Sequence, residues 1–540
     1  MRTRDLTRLE SAVHDVLVVG GGIQGLTIAY ECASRGLTVA LVEAGDFGGG
    51  ASFNHQKTAH GGLRSLSTGR IGRAREAIRE RRALARIAPW LLRPLPFLMG
   101  TYRSAIRSRV ALAAAFKVDG WLGRHRNDGV EPELHLPAAR LVSKAATIAL
   151  FHGIRRPRLT GGAQWYDYQM VESDRLTIAF AAAADRAGAD LANHVEALDP
   201  LKENGRIAGM YVRDGLTGRT FAVRARLTVN AAGSRAGVLM AAFGILNACP
   251  LLKAMNLVTS KRASDIALAA PAADGRMLTL VPWRGRALVG TAQSRALVDP
   301  DDTAVRGSEV DTFIRQANAA FPALDISRAD VTLVHRGVVP AQIGRDGVAE
   351  LRPDPEIVDH AAQGVDGALT VIGVKYTTAR RVAERAADAI GRRLGKRLSA
   401  SRTAVTPLPG AAIADHEALA IEAARAARLE VPTPAIGHLI ALYAEATPRV
   451  ISLMAEREGL RAPLVATSDT IGAEVVHVIR SEMAMRLTDI VLRRTGLGSA
   501  GHPGRAAIER CAEIAAAELG WDPARTAAEI DALEKVYLIE

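Results

Sequence analysis

The stretch Asp15-Val16-Leu17-Val18-Val19-Gly20-Gly21-Gly22-Ile23-Gln24-Gly25 decides the fold of this 540-residue chain. The β-branched run before Gly20 predicts a buried strand, and the apolar spacing after Gly25 predicts a helix that ends at Gly36. A second predicted strand, residues 37–42, is followed by Glu43. A strand, a glycine turn, a helix, a strand and an acid within about 30 residues are typical of a dinucleotide-binding βαβ unit.

The three spaced glycines of this turn have different physical roles. Gly20 permits the tight turn, Gly22 lets a pyrophosphate approach the backbone, and Gly25 lets the helix pack closely on the strand. Glu43 is placed to accept hydrogen bonds from the ribose hydroxyls. An acid at this position disfavours a 2′-phosphate and therefore NADP. The spacing leaves both FAD and NAD open.

The composition places this unit in a large globular protein of about three domains. Hydrophobic residues make up 48% of the chain and charged residues 23%, which excludes a disordered or fibrous protein. The net charge of +12 favours anionic partners such as phosphorylated metabolites, acidic lipid surfaces or nucleic acid. Only 4% of the residues are aromatic and no nucleic-acid motif is recognisable, so we expect no RNA or DNA binding.

The cysteine usage and the apolar segments indicate a cytoplasmic protein. The three cysteines lie far apart and predict neither a disulfide framework nor a thiolate zinc site. Residues 1–14 are polar, and the longest nearly uncharged stretch, residues 237–252, is too short to span a bilayer. We therefore expect any membrane contact to be peripheral. No His-Glu-x-x-His and no carboxylate-rich loop occurs in the sequence, so we expect no metal site.

The remainder of the chain alternates between predicted strands and helices. Helices are expected over residues 70–86, 173–187 and 379–394. The prolines between Pro89 and Pro96 predict a packed turn, and residues 251–372 consist mainly of strands. Beyond Gly410 helices dominate, and the clearest is expected to run over residues 469–495 and to end at Gly496.

Several further motifs lie along the chain. They are Lys57-Thr58-Ala59-His60-Gly61-Gly62-Leu63-Arg64, Asp174-Arg175-Leu176, Val229-Asn230-Ala231-Ala232-Gly233, Pro282-Trp283, Gly373-Val374-Lys375-Tyr376-Thr377-Thr378 and, in the tail, Glu482, Arg486, Asp489 and Arg493-Arg494-Thr495. With the glycine turn and Glu43, this set resembles the FAD-dependent glycerol-3-phosphate dehydrogenase family, within the D-amino-acid-oxidase-like flavoenzymes. The resemblance covers nearly the whole length.

The resemblance implies an α/β fold with three parts: a Rossmann-like FAD-binding domain, an inserted sheet-based substrate domain and a C-terminal all-helical domain. After an N-terminal arm, residues 1–14, the FAD-binding domain is expected over residues 15–88, 165–240 and 365–397. The substrate domain, which forms a cap, is expected over residues 89–164 and 241–364. A linker, residues 398–409, then leads to the helical domain, residues 410–540.

The resemblance also implies FAD as the cofactor. Its adenine is expected near Val195 and Gly233, and its isoalloxazine between the loop at residues 60–62 and the loop at residues 373–378. The expected cofactor-binding residues are Gly20, Gly22, Ile23, Gln24, Gly25, Glu43, Ser52, Lys57, His60, Gly61, Gly62, Val195, Ala232, Gly233, Gly373, Lys375, Thr377 and Thr378.

The implied reaction is the oxidation of a secondary alcohol, with glycerol 3-phosphate as the leading substrate and dihydroxyacetone phosphate as the product. A hydride passes to flavin N5, a base takes the hydroxyl proton, and a quinone then accepts the electrons. The candidate catalytic residues are His60, Arg64 and Lys375. The candidate substrate ligands are Arg64, Lys253, Asn256 and Arg336, among which the basic side chains suit a small anionic substrate. Peripheral attachment to an anionic membrane and a homodimer are further expectations.

Three positions depart from the family pattern. Val339, in Gly337-Val338-Val339-Pro340, stands where the family has an arginine. Asn256 replaces an expected histidine, and Gln293 replaces an expected acid. Losing one charged donor to a phosphate removes ~1.5–3 kcal/mol of binding. A second interpretation therefore stays open, in which the same fold carries an amine or hydroxy-acid oxidase.

Overall fold

The computed structural model describes residue 1 and residues 4–66, 69–102, 109–246, 249–344, 346–411 and 415–540, except for the side chain of Arg64. Its strands are β1 (Val13–Val19), β2 (Val39–Val42), β3 (Thr58–Ala59), β4 (Leu92–Tyr102), β5 (Arg140–Val142), β6 (Leu159–Met170), β7 (Asp190–Ala192), β8 (Val195–Glu203), β9 (Arg206–Asp214), β10 (Thr220–Asn230), β11 (Leu251–Thr259), β12 (Ala267–Pro271), β13 (Met277–Trp283), β14 (Arg286–Gln293), β15 (Val331–Ile343), β16 (Ala349–Leu351), β17 (Glu356–Asp359) and β18 (Ala368–Ile372). Its α-helices are α1 (Leu6–Ser11), α2 (Ile23–Ser34), α3 (Leu63–Leu66), α4 (Ile71–Ile87), α5 (Arg109–Leu122), α6 (Lys144–Leu150), α7 (Ser173–Arg186), α8 (Ala236–Ala242), α9 (Gly307–Ala320), α10 (Ala379–Leu394), α11 (His416–Ala426), α12 (Thr433–Tyr443), α13 (Thr447–Met454), α14 (Gly472–Glu482), α15 (Arg505–Leu519) and α16 (Pro523–Glu534).

The first sheet contains the glycine turn. Its strands run in the order β17-β18-β10-β1-β2-β7, and β9 and β8 extend it from β10. β1 lies parallel to both β2 and β10. Val16 and Val18 pack among the core residues contributed by α2, α7 and α10, whereas Leu17 and Val19 pack on the other face with residues of β9 and β10. A parallel strand that is buried on both faces needs a continuous apolar run, which is why the sequence before Gly20 predicted this strand.

The second sheet runs in the order β16-β15-β11-β14-β13-β12-β4-β6-β3, with β5 paired to β6. α9 covers one face, where Phe313 joins the same core cluster as Leu257 and Val334. β6 pairs with β4 along nearly its whole length, so the domain boundary expected at residue 165 falls inside a continuous strand. β3 also belongs to this sheet, and β17 belongs to the first sheet. Each sheet therefore contains a strand from residues that the expected ranges assign to the other domain.

The expectation of a packed turn over residues 89–96 is wrong beyond its first residues. A short 3₁₀ turn covers Pro89–Leu91, and β4 then begins at Leu92. Pro94 and Pro96 lie opposite Tyr168 and Tyr166 of β6. β4 pairs with β12 only at Phe97 and Leu98. In the described part of the sheet, the edge of β4 that faces away from β6 is therefore unpaired at both prolines. A proline can occupy a strand at such an edge because no ladder hydrogen bond is lost.

The region after residue 415 is helical, as expected, but the expectation of one long helix over residues 469–495 is wrong. α14 ends at Glu482, where the following residue Met483 has a left-handed φ of +56°, and a π-helical turn follows over Asp489–Arg494. The two segments bury apolar side chains in one core, including Val475 and Ile490, so the apolar spacing continued across the break. Gly496 has a φ of +67° and ends the second segment, as expected. Among the described helices, none has the length and apolar character needed to cross a membrane.

Candidate active site

The glycine turn brings the N-terminus of α2 against the ends of β1 and β10. Gly20 has a φ of +111°, and a Cβ there would lie 2.5 Å from the Ala231 carbonyl oxygen. A Cβ on Gly25 would lie 1.8 Å from the Gly20 carbonyl oxygen, so neither position tolerates a side chain. At Gly22, the one described atom that a Cβ would meet within 4 Å is Ser52 Oγ, at 3.3 Å. The turn therefore leaves room directly before the helix, where a helix N-terminus favours phosphate groups.

The first turn of α2 also carries backbone donors suited to an anion. Gly22 is the N-cap and provides no side-chain cap. The Ile23 N–H donates to Ser52 Oγ at 2.9 Å, so Ser52 sits at the helix N-terminus as expected for a cofactor-binding residue. This hydroxyl and the helix dipole together form a cradle for a pyrophosphate.

Glu43 lies at the end of β2, beside the glycine turn. Its carboxylate accepts hydrogen bonds from the Gly21 N–H at 2.5 Å and from the Gly45 N–H at 2.8 Å. Burial raises the pKa of Glu43, while the hydrogen bonds from Gly45 and Gly21 oppose that shift. The Val195 N–H donates to the Glu43 carbonyl oxygen at 2.7 Å, which brings the start of β8 next to the acid. The residues expected at the adenosine end of a dinucleotide thus lie together.

Three segments that are distant in sequence meet around the N-terminus of α2. Gln24 Nε2 donates to the Lys375 carbonyl oxygen at 3.2 Å, and a Cβ on Gly373 would lie 2.2 Å from Gln24 Cδ. The rings of His55 and Tyr376 stack with their centroids 4.7 Å apart. The glycine turn, the segment at residues 51–60 and the loop at residues 373–378 therefore form one site.

His60 has a defined orientation within this site. Its Nδ1 lies 3.1 Å from Asp167 Oδ2, its Nε2 lies 2.8 Å from Thr58 Oγ1, and its side chain is 49% exposed. The other oxygen of Asp167 accepts the Gly61 N–H at 2.7 Å and pairs with Arg81. Burial opposes ionisation of Asp167, but His60 and Arg81 outweigh it and hold its pKa below the ordinary range. A half-exposed imidazole oriented by an ionised carboxylate is suited to exchange a proton with a substrate.

The substrate candidates of the second sheet lie on opposite faces. Lys253 is buried against α9, and its ammonium donates to Glu309 at 2.9 Å and to the Ala304 carbonyl oxygen at 3.0 Å. Arg336, on the same face, donates to the backbone carbonyl oxygen of Val536 at 2.9 Å. Protein groups satisfy both cations, which argues against the expected contact of Lys253 and Arg336 with the substrate. The reason is strand alternation, which turns both away from the glycine turn.

Asn256 lies on the face that meets the segment at residues 51–60. Its Oδ1 accepts the Thr291 hydroxyl at 2.8 Å, and its Nδ2 donates to the Asn54 carbonyl oxygen at 3.4 Å. Next to it, the Thr279 hydroxyl donates to Gln56 Oε1 at 2.6 Å. This part of the site is lined by amides and hydroxyls.

Lys57 is turned into the protein. Its side chain is fully buried, and Nζ donates to the Phe53 carbonyl oxygen at 2.6 Å and lies 3.7 Å from Asp174 Oδ1. Burial lowers the pKa of Lys57, and Asp174 opposes that shift. The ammonium is enclosed by protein, which argues against a contact between this side chain and the cofactor.

The remaining predicted residues occupy the borders of the site. Ala232 and Gly233 follow β10, and Gly233 has a φ of +60° with open space where a Cβ would lie. The Lys375 side chain is exposed, whereas Thr377 and Thr378 are buried at the start of α10. Gly61 and Gly62 follow His60, and Cβ atoms there would collide with Arg81 and with Ala74 and Ala77 of α4, respectively. The side chain of Arg64 lies outside the described residues.

Sequence reasoning missed two residues of the site. Asp167 could have been recognised as an acid inside the aromatic strand Trp165-Tyr166-Asp167-Tyr168. His335 lies opposite Asn256 across β11 and β15, and its ring centroid is 4.8 Å from that of Phe53. Both nitrogens of this buried ring lack a hydrogen-bond partner among the described residues. Burial, with Lys57 nearby, holds the pKa of His335 well below its ordinary range.

Two family models match the chain. One, described as FAD dependent oxidoreductase, covers residues 15–389. The other, described as C-terminal domain of alpha-glycerophosphate oxidase, covers residues 401–526. The first match contains the glycine turn, the His60 segment and the loop at residues 373–378, and the second covers most of the helical region.

The chain is also similar to named proteins over most of its length. It is 30% identical over 532 residues to Glycerol-3-phosphate dehydrogenase 2 of Mycobacterium tuberculosis, covering 97% of this chain and 87% of that protein. It is 29% identical over 514 residues to Glycerol-3-phosphate dehydrogenase of Synechocystis sp., covering 92% and 90%. Its fold is similar to that of the glycerol-3-phosphate dehydrogenase from Bacillus halodurans, crystallised with FAD. In that comparison the TM-score is 0.76 at 22% identity, and 98% of this chain and 95% of the other are covered.

Proposed function

Because the chain belongs to the family of FAD-dependent oxidoreductases, we propose that it is a dehydrogenase of secondary alcohols, with glycerol 3-phosphate as its leading substrate. The product is then dihydroxyacetone phosphate. One observation carries the proposal: the glycine turn, the His60 segment and the loop at residues 373–378 meet around the N-terminus of α2. This arrangement supports a dinucleotide cradle beside the segment that carries His60, the proposed general base.

The residues at the glycine turn fit FAD. The room at Gly22 and the N-terminus of α2, where the N-cap Gly22 contributes no side chain, suit the pyrophosphate, and the Glu43 carboxylate suits the ribose hydroxyls. The open space at Gly233 lies beside the expected adenine position. FAD, when bound, supplies the acceptor for the hydride of the alcohol carbon.

His60 is the proposed general base. Asp167 fixes the orientation of the imidazole, and it stabilises the positive charge that develops when the imidazole takes the hydroxyl proton. Lys375 and Arg64 are the proposed contacts for an anionic group on the substrate, with Arg64 placed on α3, a few residues after His60. Lysine acts as a point charge and arginine as a bidentate donor, so the two together suit a phosphate.

We also propose a quinone as the electron acceptor and a peripheral position on an anionic membrane. The support is α5, whose residues Val110, Val118 and Trp121 are 81%, 39% and 64% exposed and share one helix face. Lys117 and Arg124 are exposed beside this apolar stripe. An exposed apolar stripe with flanking basic side chains is typical of a helix that lies on a lipid surface.

The position of α5 agrees with electron transfer to a lipid-dissolved acceptor. α5 packs near α3 and α4, the helices that follow His60 in the chain. A cavity too small for more than one water lies between them, lined by Gly61 and Asp119 among others. A membrane contact at α5 therefore brings the lipid surface close to the segment that carries His60.

A second candidate function has a specific observation in its favour. Val339 packs in an apolar cluster with Leu252, Ala254, Ala341 and Ala349, and Asn256 belongs to a neutral amide and hydroxyl network. A site with neutral lining suits a less charged substrate, such as a hydroxy acid or an amine.

The experiment that tests the proposal is anaerobic reduction of the bound flavin. Glycerol 3-phosphate, other polyol phosphates, hydroxy acids and amines are added separately, and bleaching of the flavin absorbance gives the rate of reduction. We expect glycerol 3-phosphate to give the fastest reduction. Faster reduction by an amine or a hydroxy acid would favour the second function, and no reduction by any alcohol would contradict the proposed reaction.

A further inference from the structure

A group of buried charges joins the helical domain to the turn that follows Glu43. The Asp46 carboxylate accepts two hydrogen bonds from the guanidinium of Arg494, at 2.7 and 2.9 Å, and one from Arg493 at 2.7 Å. The Asp46 and Arg494 side chains are fully buried, and that of Arg493 is 11% exposed. Burial opposes ionisation of Asp46, but Arg494 and Arg493 outweigh it and hold its pKa well below the ordinary range. We call Asp46, Arg493 and Arg494 the arginine clamp.

A second contact from the same helical segment reaches the start of β8. His194 Nε2 lies 2.8 Å from Asp489 Oδ2, and Arg493 donates to the other oxygen of Asp489 at 2.9 Å. The His194 N–H donates to the Gly45 carbonyl oxygen at 2.7 Å. The π-helical turn at Asp489–Arg494 therefore holds both chain segments that border the expected adenosine position.

This arrangement is an ion-pair network and not a metal site. One ligand atom each from Asp46, His194 and Asp489 lie within 4.8 Å of one another, a spacing that a metal ion could use. Both carboxylates already bind guanidinium groups of Arg493 or Arg494. Their positive charges would repel a divalent cation.

The turn between Glu43 and Asp46 connects the clamp to the glycine turn. The Gly45 N–H donates to the Glu43 carboxylate, and the Gly48 N–H donates to the Gly21 carbonyl oxygen at 2.9 Å. The Gly21 N–H in turn donates to Glu43. A shift of Asp46 therefore moves the backbone donors that set the direction of the Glu43 carboxylate.

We propose that Arg493 and Arg494 are positioning residues for FAD, which hold Asp46 and thereby orient Glu43 toward the ribose. The proposal rests on the assignment of Glu43 to the ribose that the proposed function makes. The helical domain then determines how tightly the adenosine half of the cofactor is retained, although it lies outside the part of the chain that forms the dinucleotide fold.

The test compares cofactor affinity in three full-length variants with the wild type. Asp46→Asn removes the negative charge of the clamp and keeps the shape of the side chain. Arg493→Gln removes one donor while Arg494 still neutralises Asp46. Arg493→Lys restores a positive charge. The dissociation constant for FAD is measured from the fluorescence of released flavin, and that for ADP, which carries only the adenosine half, from its competition with FAD.

A matched control weakens the helical domain elsewhere. Glu529 is 3% exposed, accepts the Leu487 N–H at 3.0 Å and forms an ion pair with Arg525 at 2.6 Å, and it does not contact Asp46, Arg493 or Arg494. Glu529→Gln therefore lowers the thermal stability of the same domain. It should leave the affinity for FAD unchanged within twofold.

We expect Asp46→Asn and Arg493→Gln each to raise the dissociation constant for FAD at least tenfold, and that for ADP by the same factor. Arg493→Lys should recover part of the lost affinity. The absorption spectrum of the flavin that remains bound should not change, because the isoalloxazine end is untouched. Unchanged FAD affinity in folded Arg493→Gln would overturn the proposal. So would an equal loss in Glu529→Gln, or a loss of FAD affinity without a loss of ADP affinity.

Glu43→Gln separates this proposal from the assignment on which it rests. If Glu43→Gln leaves ADP affinity unchanged, the ribose assignment is wrong and the proposal fails with it. If Glu43→Gln weakens ADP binding and the clamp variants do not, only the role of the arginines is wrong.

Discussion

The side chains of Arg336 and Val339 leave β15 on opposite faces of the second sheet. The Arg336 guanidinium donates to the Val536 carbonyl oxygen, on the face covered by α9 and the end of the chain. Val339 packs beside Leu252 on the other face, which meets the segment at residues 51–60. The two positions are three apart in sequence, an odd number, so strand alternation forbids Arg336 from replacing a side chain at residue 339.

This relationship makes Val339→Arg the sharpest test of the substrate. If glycerol 3-phosphate is the substrate, the new guanidinium adds a charge-assisted hydrogen bond to its phosphate. We expect reduction of the flavin by low concentrations of glycerol 3-phosphate to become about tenfold more efficient, which corresponds to ~1.4 kcal/mol.

A control for Val339→Arg lies on the same strand face. Ile343 is 52% exposed and four residues further along β15, so Ile343→Arg adds the same charge outside the apolar cluster and should change nothing. FAD content and folding are checked first. If glycerol 3-phosphate reduces the flavin of neither Val339→Arg nor the wild type, it is ruled out as the substrate.

The cofactor half of the site was predictable from sequence because its signals are local. The strand, the turn and the first residues of α2 follow one another, so spacing alone brings Gly20, Gly22 and Gly25 to one place. α10 was likewise predicted over residues 379–394, the bounds that it has in the structure. A helix with a clear apolar face and a glycine at its end needs no tertiary information.

The substrate half could not be predicted in the same way. The face on which Lys253 or Arg336 lies depends on strand register, and β11 carries an irregularity between Met255 and Asn256 in its pairing with β14. The partner of His60 is more than 100 residues away, in β6. The break at Met483 is hidden because the residues on both sides bury apolar side chains in one core.

Gly22→Asp should abolish FAD binding. Among the described residues, only Ser52 Oγ lies within 4 Å of a Cβ at this position, so the folded chain accommodates the side chain, but its carboxylate would face the pyrophosphate. We expect a folded, colourless protein, measured by flavin absorbance per chain and by circular dichroism. Gly437→Asp, at an exposed position of α12 where no described atom lies within 4 Å of a Cβ, is the control and should stay yellow. A yellow Gly22→Asp protein would place the pyrophosphate elsewhere.

His60→Gln should slow flavin reduction by about 10²–10⁴-fold, the usual contribution of a positioned general base. Asp167→Asn should slow it as well, because the imidazole then loses the carboxylate that orients it and stabilises its charged form. The exposed pair of His125 and Asp128 provides a control, since His125→Gln removes a comparable contact at the surface. The measurement is the rate of anaerobic reduction at saturating substrate. Equal rates in His60→Gln and His125→Gln would show that His60 is not the general base.

Lowering the pH should weaken the contact between the helical domain and Arg175, because this contact depends on the ionised carboxylate of Glu482. Arg175 donates to both oxygens of this carboxylate, at 2.5 and 2.7 Å. Burial opposes ionisation, but Arg175 outweighs it and holds the pKa of Glu482 well below its ordinary value of 4.5. A carboxyl group with a depressed folded pKa stabilises the fold fully above the unfolded value, and this contribution is lost as the pH falls through the folded pKa.

Glu482→Gln should therefore lower the melting temperature strongly at pH 7, because breaking a buried ion pair costs about 3–5 kcal/mol. The difference from the wild type should narrow as the pH is lowered below 4.5. Glu509→Gln, which removes an exposed partner of Arg505, serves as the control and should shift the melting temperature little at any pH. A difference between Glu482→Gln and the wild type that is independent of pH would contradict the assignment.

Trp121→Glu and Val110→Glu on α5 should reduce sedimentation with anionic vesicles, because each puts a negative charge into the apolar stripe that is expected to enter the lipid surface. Binding of the wild type should also fall between 0.1 M and 1 M salt, since the Debye length shrinks from ~10 Å to ~3 Å and screens Lys117 and Arg124. Val405→Glu, at an exposed apolar residue outside α5, makes the same chemical change and should bind like the wild type. If all three variants bind equally, α5 is not the membrane contact, and if the wild type binds neutral and anionic vesicles equally, basic side chains do not drive the attachment.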